Sequence, residues 1–160
     1  MIQRIQSLLL TGVIILLTIN LLVPIWTNSE ATSSIRLNAF SIIQSGPSLS
    51  GIPLLTKTKE VYYIAGLIIA SICLTAYIIF QYKNRSLQLM LCNLLTVFLL
   101  GIIGSYFIAI PAAKALMIQA SNGNYEAGYY LPILSSALVA IARHYIKKDE
   151  KLVKSVDRIR

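Results

Sequence analysis

The chain has 160 residues, of which 56% are hydrophobic and only 12% are charged. Soluble domains carry about 25% charged residues, so this composition excludes a disordered chain and argues against a water-soluble globule, whose surface it has too few polar residues to cover. The net charge of +8 alone would fit a nucleic-acid partner, but the positions of the charges decide that question.

Long intervals without a charged side chain are the main feature of the sequence. About 20 apolar residues cross a bilayer core as a helix, and runs such as Leu8–Leu10 do not alternate as barrel strands do. We therefore predict an all-α membrane protein whose four transmembrane helices form an up-down-up-down bundle. The first span is longer than the apolar part of a secretory signal, so we expect it to be retained. The predicted spans are residues 5–26, 61–82, 87–109 and 126–145.

Proline and a turn signal set the boundaries of the third and fourth helices. Pro111 has no backbone N–H and disfavours helical structure at Ile110, so we predict that helix three ends or kinks there. Residues 112–119 would then form a short interfacial helix. The Asn-Gly-Asn segment 122–124 predicts a turn before helix four.

The distribution of basic residues predicts the orientation. Ten of the fourteen Lys and Arg residues lie in three places: near the N-terminus, around the turn between helices two and three, and from Arg143 to residue 160. Since Lys and Arg concentrate on the cytoplasmic side, we place both termini in the cytoplasm and the loops 27–60 and 110–125 outside. The +8 is then largely a topology signal, and we predict no nucleic-acid partner.

Two segments outside the spans have a predicted structure. In the loop 27–60, Ile35, Leu37 and Ala39 alternate with polar residues, which predicts a small antiparallel β-hairpin with its return strand near residues 54–62. A lone hairpin is marginal in water, so it should lean on the bilayer, the other outer loop or a partner. It is either a docking surface or a packed cap.

The basic cytoplasmic tail, residues 146–160, follows the transmembrane domain 1–145. Its apolar residues have helical spacing, which predicts an amphipathic C-terminal helix. This helix either continues helix four or turns along the membrane surface, where anionic lipid headgroups would attract its basic side.

The sequence contains no recognisable chemical site. The predicted spans have no acidic or basic side chain in their interiors, which argues against an ion-coupled transporter. The single histidine, His144, has no second imidazole with which to hold a haem. There is no phosphate-binding loop, dinucleotide fingerprint or nucleophile elbow. We therefore predict no catalytic, cofactor-binding or metal-binding residues and no cofactor.

Small residues four apart predict close helix packing. Asn93, deep in helix three, should need a polar partner such as Thr75 or Thr11. Packing within the bundle is the favoured interpretation, and a face between copies of the chain is the alternative. The candidate packing residues are Gly66, Ala70, Asn93, Gly101, Ser105, Ser136 and Ala140.

Three stretches carry a family resemblance: MIQRIQ at 1–6, YKNRSLQ at 82–88 followed by Leu91 and Cys92, and KKDEKLVKSVDR at 147–158. With them the sequence resembles a family of four-helix inner-membrane proteins of unknown function, typical of Bacteroidota-type bacteria. The likeness covers essentially the whole chain, although the loop 27–60 has no matching motif. It implies a multi-pass protein of the bacterial inner (cytoplasmic) membrane without an established activity.

All three stretches lie on the predicted cytoplasmic side, so we predict that their polar side chains form one interaction cluster that ties helix ends together or docks a partner. Exposed ion pairs are worth only about 0–1 kcal/mol each, so stability alone is a weak reason for such a cluster. Its predicted members are Gln3, Arg4, Gln6, Lys83, Asn84, Arg85, Gln88, Asp149, Glu150, Lys151, Lys154, Asp157 and Arg158.

The favoured function is a non-catalytic accessory or scaffold subunit of a membrane complex, in contact with membrane-protein partners or with copies of itself. A transporter or channel for a small neutral or lipidic molecule is the alternative. A membrane enzyme would need cysteine or hydroxyl chemistry without an evident base. The transport path would be lined by Ser71, Thr75, Asn93, Thr96 and Ser105.

Overall fold

The structure, a computed structural model, describes residues 2–29, 34–46, 54–82, 84–116 and 123–157. Four helices account for most of these residues. They are α1 (Ile2–Leu22), α2 (Tyr62–Phe80), α3 (Arg85–Lys114) and α4 (Ala127–Asp157). The strands are β1 (Trp26–Ser29), β2 (Ser34–Leu37), β3 (Ser41–Gly46), β4 (Leu54–Glu60) and β5 (Asn124–Tyr125).

The four helices form a bundle in which each helix packs against its neighbours in sequence, and α4 closes the ring against α1. The strands β1–β4 connect α1 to α2, and β5 lies between α3 and α4. Consequently α1 and α3 run toward the sheet, whereas α2 and α4 run away from it. We call the two ends of the bundle the sheet end and the tail end.

Each helix buries a seam of residues spaced alternately four and three apart. This spacing averages 3.5 residues, the period at which side chains of one helix fit between those of the next in left-handed bundles. All four helices face the core, so the same spacing recurs on each of them. The seams contain Gln6, Leu10, Val13, Leu17 and Asn20 of α1; Ile64, Ile68, Ser71, Thr75 and Ile78 of α2; Gln88, Cys92, Leu95, Leu99 and Ile102 of α3; and Pro132, Ser135, Val139, Ala142 and Ile146 of α4.

Among the described residues, three helices are long and apolar enough to cross a membrane: Ile5–Leu22, Tyr62–Phe80 and Arg85–Lys114. They match the first three predicted spans. The fourth predicted span is not among them, because two tyrosines and Pro132 near one end and Arg143 and His144 near the other lower the mean hydropathy of α4.

The sheet is larger than the predicted hairpin. Five antiparallel strands lie in the order β4-β3-β2-β1-β5. The return strand predicted near residues 54–62 is present as β4, but the segment before it forms two strands. β2 turns tightly through Asn38, whose N–H donates to the carbonyl of Ser41, and pairs with β3. β3 then pairs with β4.

The second loop contributes the fifth strand. The predicted turn 122–124 includes Asn124, which lies in β5 and pairs with Thr27, while Tyr125 pairs with Trp26. The strands of the loop 27–60 are therefore supported by the other outer loop, which is one of the three supports that the sequence suggested. β5 also fixes the entry of the chain into α4, since the Glu126 N–H donates to the Ile25 carbonyl at 3.1 Å.

The ends of α1 and α3 differ most from the predicted boundaries of the apolar spans. α1 ends at Leu22, before Pro24, and Trp26 begins a strand. α3 continues through Pro111 to Lys114. The missing N–H of Pro111 leaves only the Phe107 carbonyl without its helical donor. The next turn still closes, because the Ala115 N–H donates to the Pro111 carbonyl at 2.9 Å. Residues 112–114 therefore belong to α3, and residues 117–119 of the expected interfacial helix lie outside the described residues.

α4 runs without a break across residues 145 and 146. The tail therefore continues helix four as far as Asp157, which is the first of the two predicted alternatives. With 31 residues, α4 is about 46 Å long at the usual helical rise.

Candidate functional site

A buried polar node joins three helices at the sheet end. The side chain of Asn20 in α1 is completely buried, and its Nδ2 donates to the backbone carbonyl of Gly128 in α4 at 2.5 Å. The Tyr106 hydroxyl of α3 donates to Asn20 Oδ1 at 3.0 Å and lies 3.5 Å from the same Gly128 carbonyl. One amide side chain thus connects α1, α3 and α4 in a place that excludes water.

Pro132 explains why the Gly128 carbonyl accepts these bonds. In an α-helix, the carbonyl of residue 128 accepts from the N–H of residue 132, but proline has none. An unpaired carbonyl in an apolar interior costs several kcal/mol, and neighbouring helices usually satisfy it when proline frees it. The Asn20 amide supplies that donor here, and the Tyr106 hydroxyl holds the amide in place through its bond to Oδ1.

Gly128 also permits a close backbone approach between α4 and the end of α1. A Cβ at this position would lie 2.6 Å from the Pro24 carbonyl oxygen and 3.0 Å from the Val23 carbonyl oxygen. The Gly128 N–H donates to the same Pro24 oxygen at 3.2 Å. A side chain at residue 128 would therefore push the backbone of α4 away from Asn20.

An aromatic cluster covers the node. The ring centroids of Tyr106 and Tyr129 are 5.9 Å apart, and those of Tyr125 and Tyr129 are 4.7 Å apart. Tyr130 meets Tyr129 edge to face at 5.3 Å. Tyr129 thus contacts Tyr106, Tyr125 and Tyr130 at the sheet end.

Sequence reasoning missed this node, although a signal was present. Asn20 lies two heptads after Gln6, so both belong to the seam that α1 buries. Gly128 and Pro132 are four apart, the spacing at which a proline frees the carbonyl of a glycine. These two patterns together indicate a polar contact between helices one and four.

At the tail end, the structure joins two residues of the predicted interaction cluster. The Arg85 guanidinium lies 3.2 Å from the Asp149 carboxylate and donates a second bond to the Asp149 backbone carbonyl at 3.2 Å. This pair fixes the start of α3 to α4. Its side chains are 25% and 16% exposed, so the pair orients the two helices more than it stabilises them.

Two glutamines of the predicted cluster lie in the bundle interior. The Gln88 side chain is buried and donates to the Ile78 carbonyl near the end of α2 at 3.3 Å. Gln6 is 5% exposed, and its Nε2 has no hydrogen-bond partner within the described part of the chain. Gln88 ties α2 to α3 and neither glutamine offers a surface to a partner.

The remaining cluster members are placed less completely. Asn84 and Lys151 are exposed, and Glu150 is half-buried. Gln3, Arg4, Lys154 and Asp157 lie in helices, but their side chains are outside the described part of the structure, as are Lys83 and Arg158 altogether. The cluster as a docking surface stays a prediction.

A basic face begins where α4 leaves the bundle. His144, Lys147, Lys148 and Lys151 follow the three-and-four spacing of a single helix face and line a shallow groove of about 380 Å³. The opposite side of the same turns carries the buried Ile146 and the ion-paired Asp149. We call these four residues the α4 basic face.

The predicted packing residues do not form close helix contacts as a set. Gly66, Gly101 and Ala140 are exposed, and a Cβ at Gly66 would meet no atom within 4 Å. Asn93 is exposed on the outer side of α3, not buried against Thr75 or Thr11 as expected, because the α3 seam passes through Cys92 and Leu95. Of the others, Ser105 is buried, while Ala70 and Ser136 are half-buried.

Four of the five residues proposed to line a transport path donate hydrogen bonds within their own helices, and the fifth, Asn93, is exposed. The hydroxyls of Ser71, Thr75 and Thr96 each donate to a carbonyl one turn earlier in their own helix, and Ser105 donates to Ile102. The hydroxyl protons of these four residues are therefore all donated within their own helices, and only the acceptor lone pairs are left.

Comparison with known proteins gives one family. No curated protein matches the chain. A family model described as a domain of unknown function, DUF4293, matches residues 2–159. This match spans nearly the entire chain and agrees with the resemblance to an uncharacterised family. The protein therefore belongs to the DUF4293 family.

Proposed function

We propose that this protein is a non-catalytic accessory or scaffold subunit of a complex in the bacterial inner membrane. The observation that carries the proposal is the projection of α4 beyond the bundle. The Arg85–Asp149 pair joins α4 to the first residue of α3, and α4 continues to Asp157, about 12 Å farther along its axis. A helix that leaves its bundle while keeping a defined direction suits attachment to another subunit.

In this proposal α4 is a fourth crossing, and both termini face the cytoplasm. Three observations support it. α4 packs along α1 and α3, which are apolar enough to cross a membrane. Its Gly128 carbonyl accepts a buried hydrogen bond from Asn20 of α1, and the Tyr106 hydroxyl of α3 donates to that same Asn20. The α4 basic face lies at the tail end, on the side where the charge distribution of the sequence places the cytoplasm.

The α4 basic face would contact both the membrane surface and the partner. Its turns nearest the bundle, at His144 and Lys147, lie where lipid headgroups are expected, and anionic lipid attracts each such lysine by about 1 kcal/mol. Lys148 and Lys151 extend farther from the bundle and would meet acidic side chains of the partner. A second copy of the chain is disfavoured as that partner because its own tail is equally basic.

The internal packing favours this function over transport. The seams are filled by apolar side chains that are fully buried, such as Leu17, Ile68, Leu99 and Val139. Because the hydroxyl protons of Ser71, Thr75 and Ser105 are donated within their own helices, a solute that needs a hydrogen-bond donor would have to break those bonds.

Purification from the native membrane in a mild detergent tests this function. We expect a membrane protein to copurify in fixed stoichiometry with the tagged full-length chain, as measured by quantitative mass spectrometry. The Lys148→Gln/Lys151→Gln variant removes two charge-assisted contacts. We therefore expect it to retain about one tenth, or less, of the partner that the wild-type chain retains.

The matched control is Lys59→Gln/Lys114→Gln, which removes two exposed lysines at the sheet end. It should retain the partner at the wild-type level. A wild-type chain that purifies alone as a monomer would contradict the proposal, and so would equal partner retention by the two double variants.

A further inference from the structure

A partly open groove lies on the sheet, on the face opposite to the buried one, and has a volume of about 500 Å³. Ile35 and Leu37 point into the core, so the residues that alternate with them, Ser34, Arg36 and Asn38, line the groove. This groove is at the opposite end of the molecule from the α4 basic face and plays no part in the function proposed above.

Strand pairing brings the polar groups of the groove together. Ser34 pairs with Ser45, and Arg36 pairs with Ile43, so the two hydroxyls and the guanidinium project from neighbouring positions on the same face. Arg36 is exposed, and no carboxylate lines the groove within the described residues. The polar wall thus offers one cation and several hydrogen-bonding groups to an anion.

The other wall of the groove is apolar. It is formed by Leu22 and Pro24, with Ile43 from the sheet. Leu22 is 80% exposed and is the last residue of the Ile5–Leu22 span, so the apolar wall continues directly into the outer surface of a helix long enough to cross the membrane. The groove therefore changes from apolar to cationic at the depth where a bilayer changes from acyl chains to headgroups.

We propose that this groove binds an anionic phospholipid of the leaflet on the sheet side, with its phosphodiester at Arg36 and an acyl chain along Leu22. Arginine suits the phosphate because its planar donors match two phosphate oxygens at once. Ser34 and Ser45 are placed to bond headgroup hydroxyls, as phosphatidylglycerol has. A free phosphate would leave the apolar wall unused, which is why the lipid is the occupant.

Native mass spectrometry of the full-length protein from nanodiscs tests this site. The nanodiscs contain phosphatidylcholine and phosphatidylglycerol in equal amounts, and all variants are made in the Lys147→Gln background, which removes the tail-end lysine that is expected to lie at the lipid headgroups. Arg36→Gln should weaken the retention of phosphatidylglycerol about fivefold, the effect of about 1 kcal/mol per cation at a membrane surface. Lys59→Gln, an exposed cation of the same sheet outside the groove, should retain it.

Four results would overturn the proposal. They are unchanged retention in Arg36→Gln, equal losses in Arg36→Gln and Lys59→Gln, equal retention of the two lipids by the parent chain, and displacement of the lipid by soluble glycerophosphoglycerol at comparable concentration. If Arg36→Gln alters the far-UV circular dichroism spectrum, the Ser34→Ala/Ser45→Ala variant replaces it, with an expected loss of about twofold in the preference for phosphatidylglycerol.

Discussion

Gly128→Ala is expected to destabilise the protein by about 3 kcal/mol, near the upper end of what overpacking costs. The new methyl group would lie 2.6 Å from the Pro24 carbonyl oxygen, and this neighbour is backbone that cannot rotate away. Relief requires α4 to move from α1, which lengthens the bond between Asn20 and the Gly128 carbonyl. The chain's single tryptophan, Trp26, is buried beside β5, so its fluorescence during detergent unfolding reports the loss.

Gly66→Ala provides the matched control. This glycine also lies in a helix, but an added Cβ would meet no atom within 4 Å. Alanine restricts the unfolded chain more than glycine, so this change should be neutral or stabilising by up to about 1 kcal/mol. Equal stabilities of the two variants would show that α4 does not approach α1 as closely as the structure has it.

Asn20→Leu is expected to cost about 2 kcal/mol. The side chains are similar in size, so the loss comes from the Gly128 carbonyl and the Tyr106 hydroxyl, which each lose the amide that bonds to them. The free energy of unfolding in mixed micelles measures the effect. Thr18→Leu serves as the control, because the exposed Thr18 hydroxyl bonds only within α1, to the Ile14 carbonyl, among the described contacts.

A double-mutant cycle with Pro132→Ala isolates the cause. Alanine at residue 132 restores the N–H that bonds to the Gly128 carbonyl in a regular helix, so this carbonyl no longer depends on Asn20. In that background Asn20→Leu should cost about 1 kcal/mol less than in the wild type. Additive losses would show that the proline is not the reason for the polar node.

The helices were predictable from the sequence, but their buried faces were not. The charge-free intervals locate α1, α2 and α3 because lipid excludes charges. Leu8 is exposed and Leu10 is fully buried, yet both are leucine, since the surface that faces lipid is as apolar as the core. Composition therefore cannot separate the two faces, and Asn93 was assigned to the wrong one.

Some polar contacts could be predicted from the sequence, whereas others are decided by how distant segments pack. Arg85 was predicted to approach the acidic residues of the tail, and it pairs with Asp149. Asp149 and Glu150 are about 100° apart around a helix, so only the packing of α4 decides between them. The sheet was underestimated for a related reason: β5 pairs with β1 across almost 100 residues, and its two residues have no signal of their own.

Labelling of single cysteines in spheroplasts tests the central claim most directly, namely that α4 crosses the membrane with the other three helices. In a chain with Cys73→Ser and Cys92→Ser, Ser29→Cys and Lys151→Cys place an exposed thiol at the sheet end and at the tail end. A membrane-impermeant maleimide should label Ser29→Cys in intact spheroplasts, and Lys151→Cys only after permeabilisation. Labelling of both positions from the same side would contradict a fourth crossing.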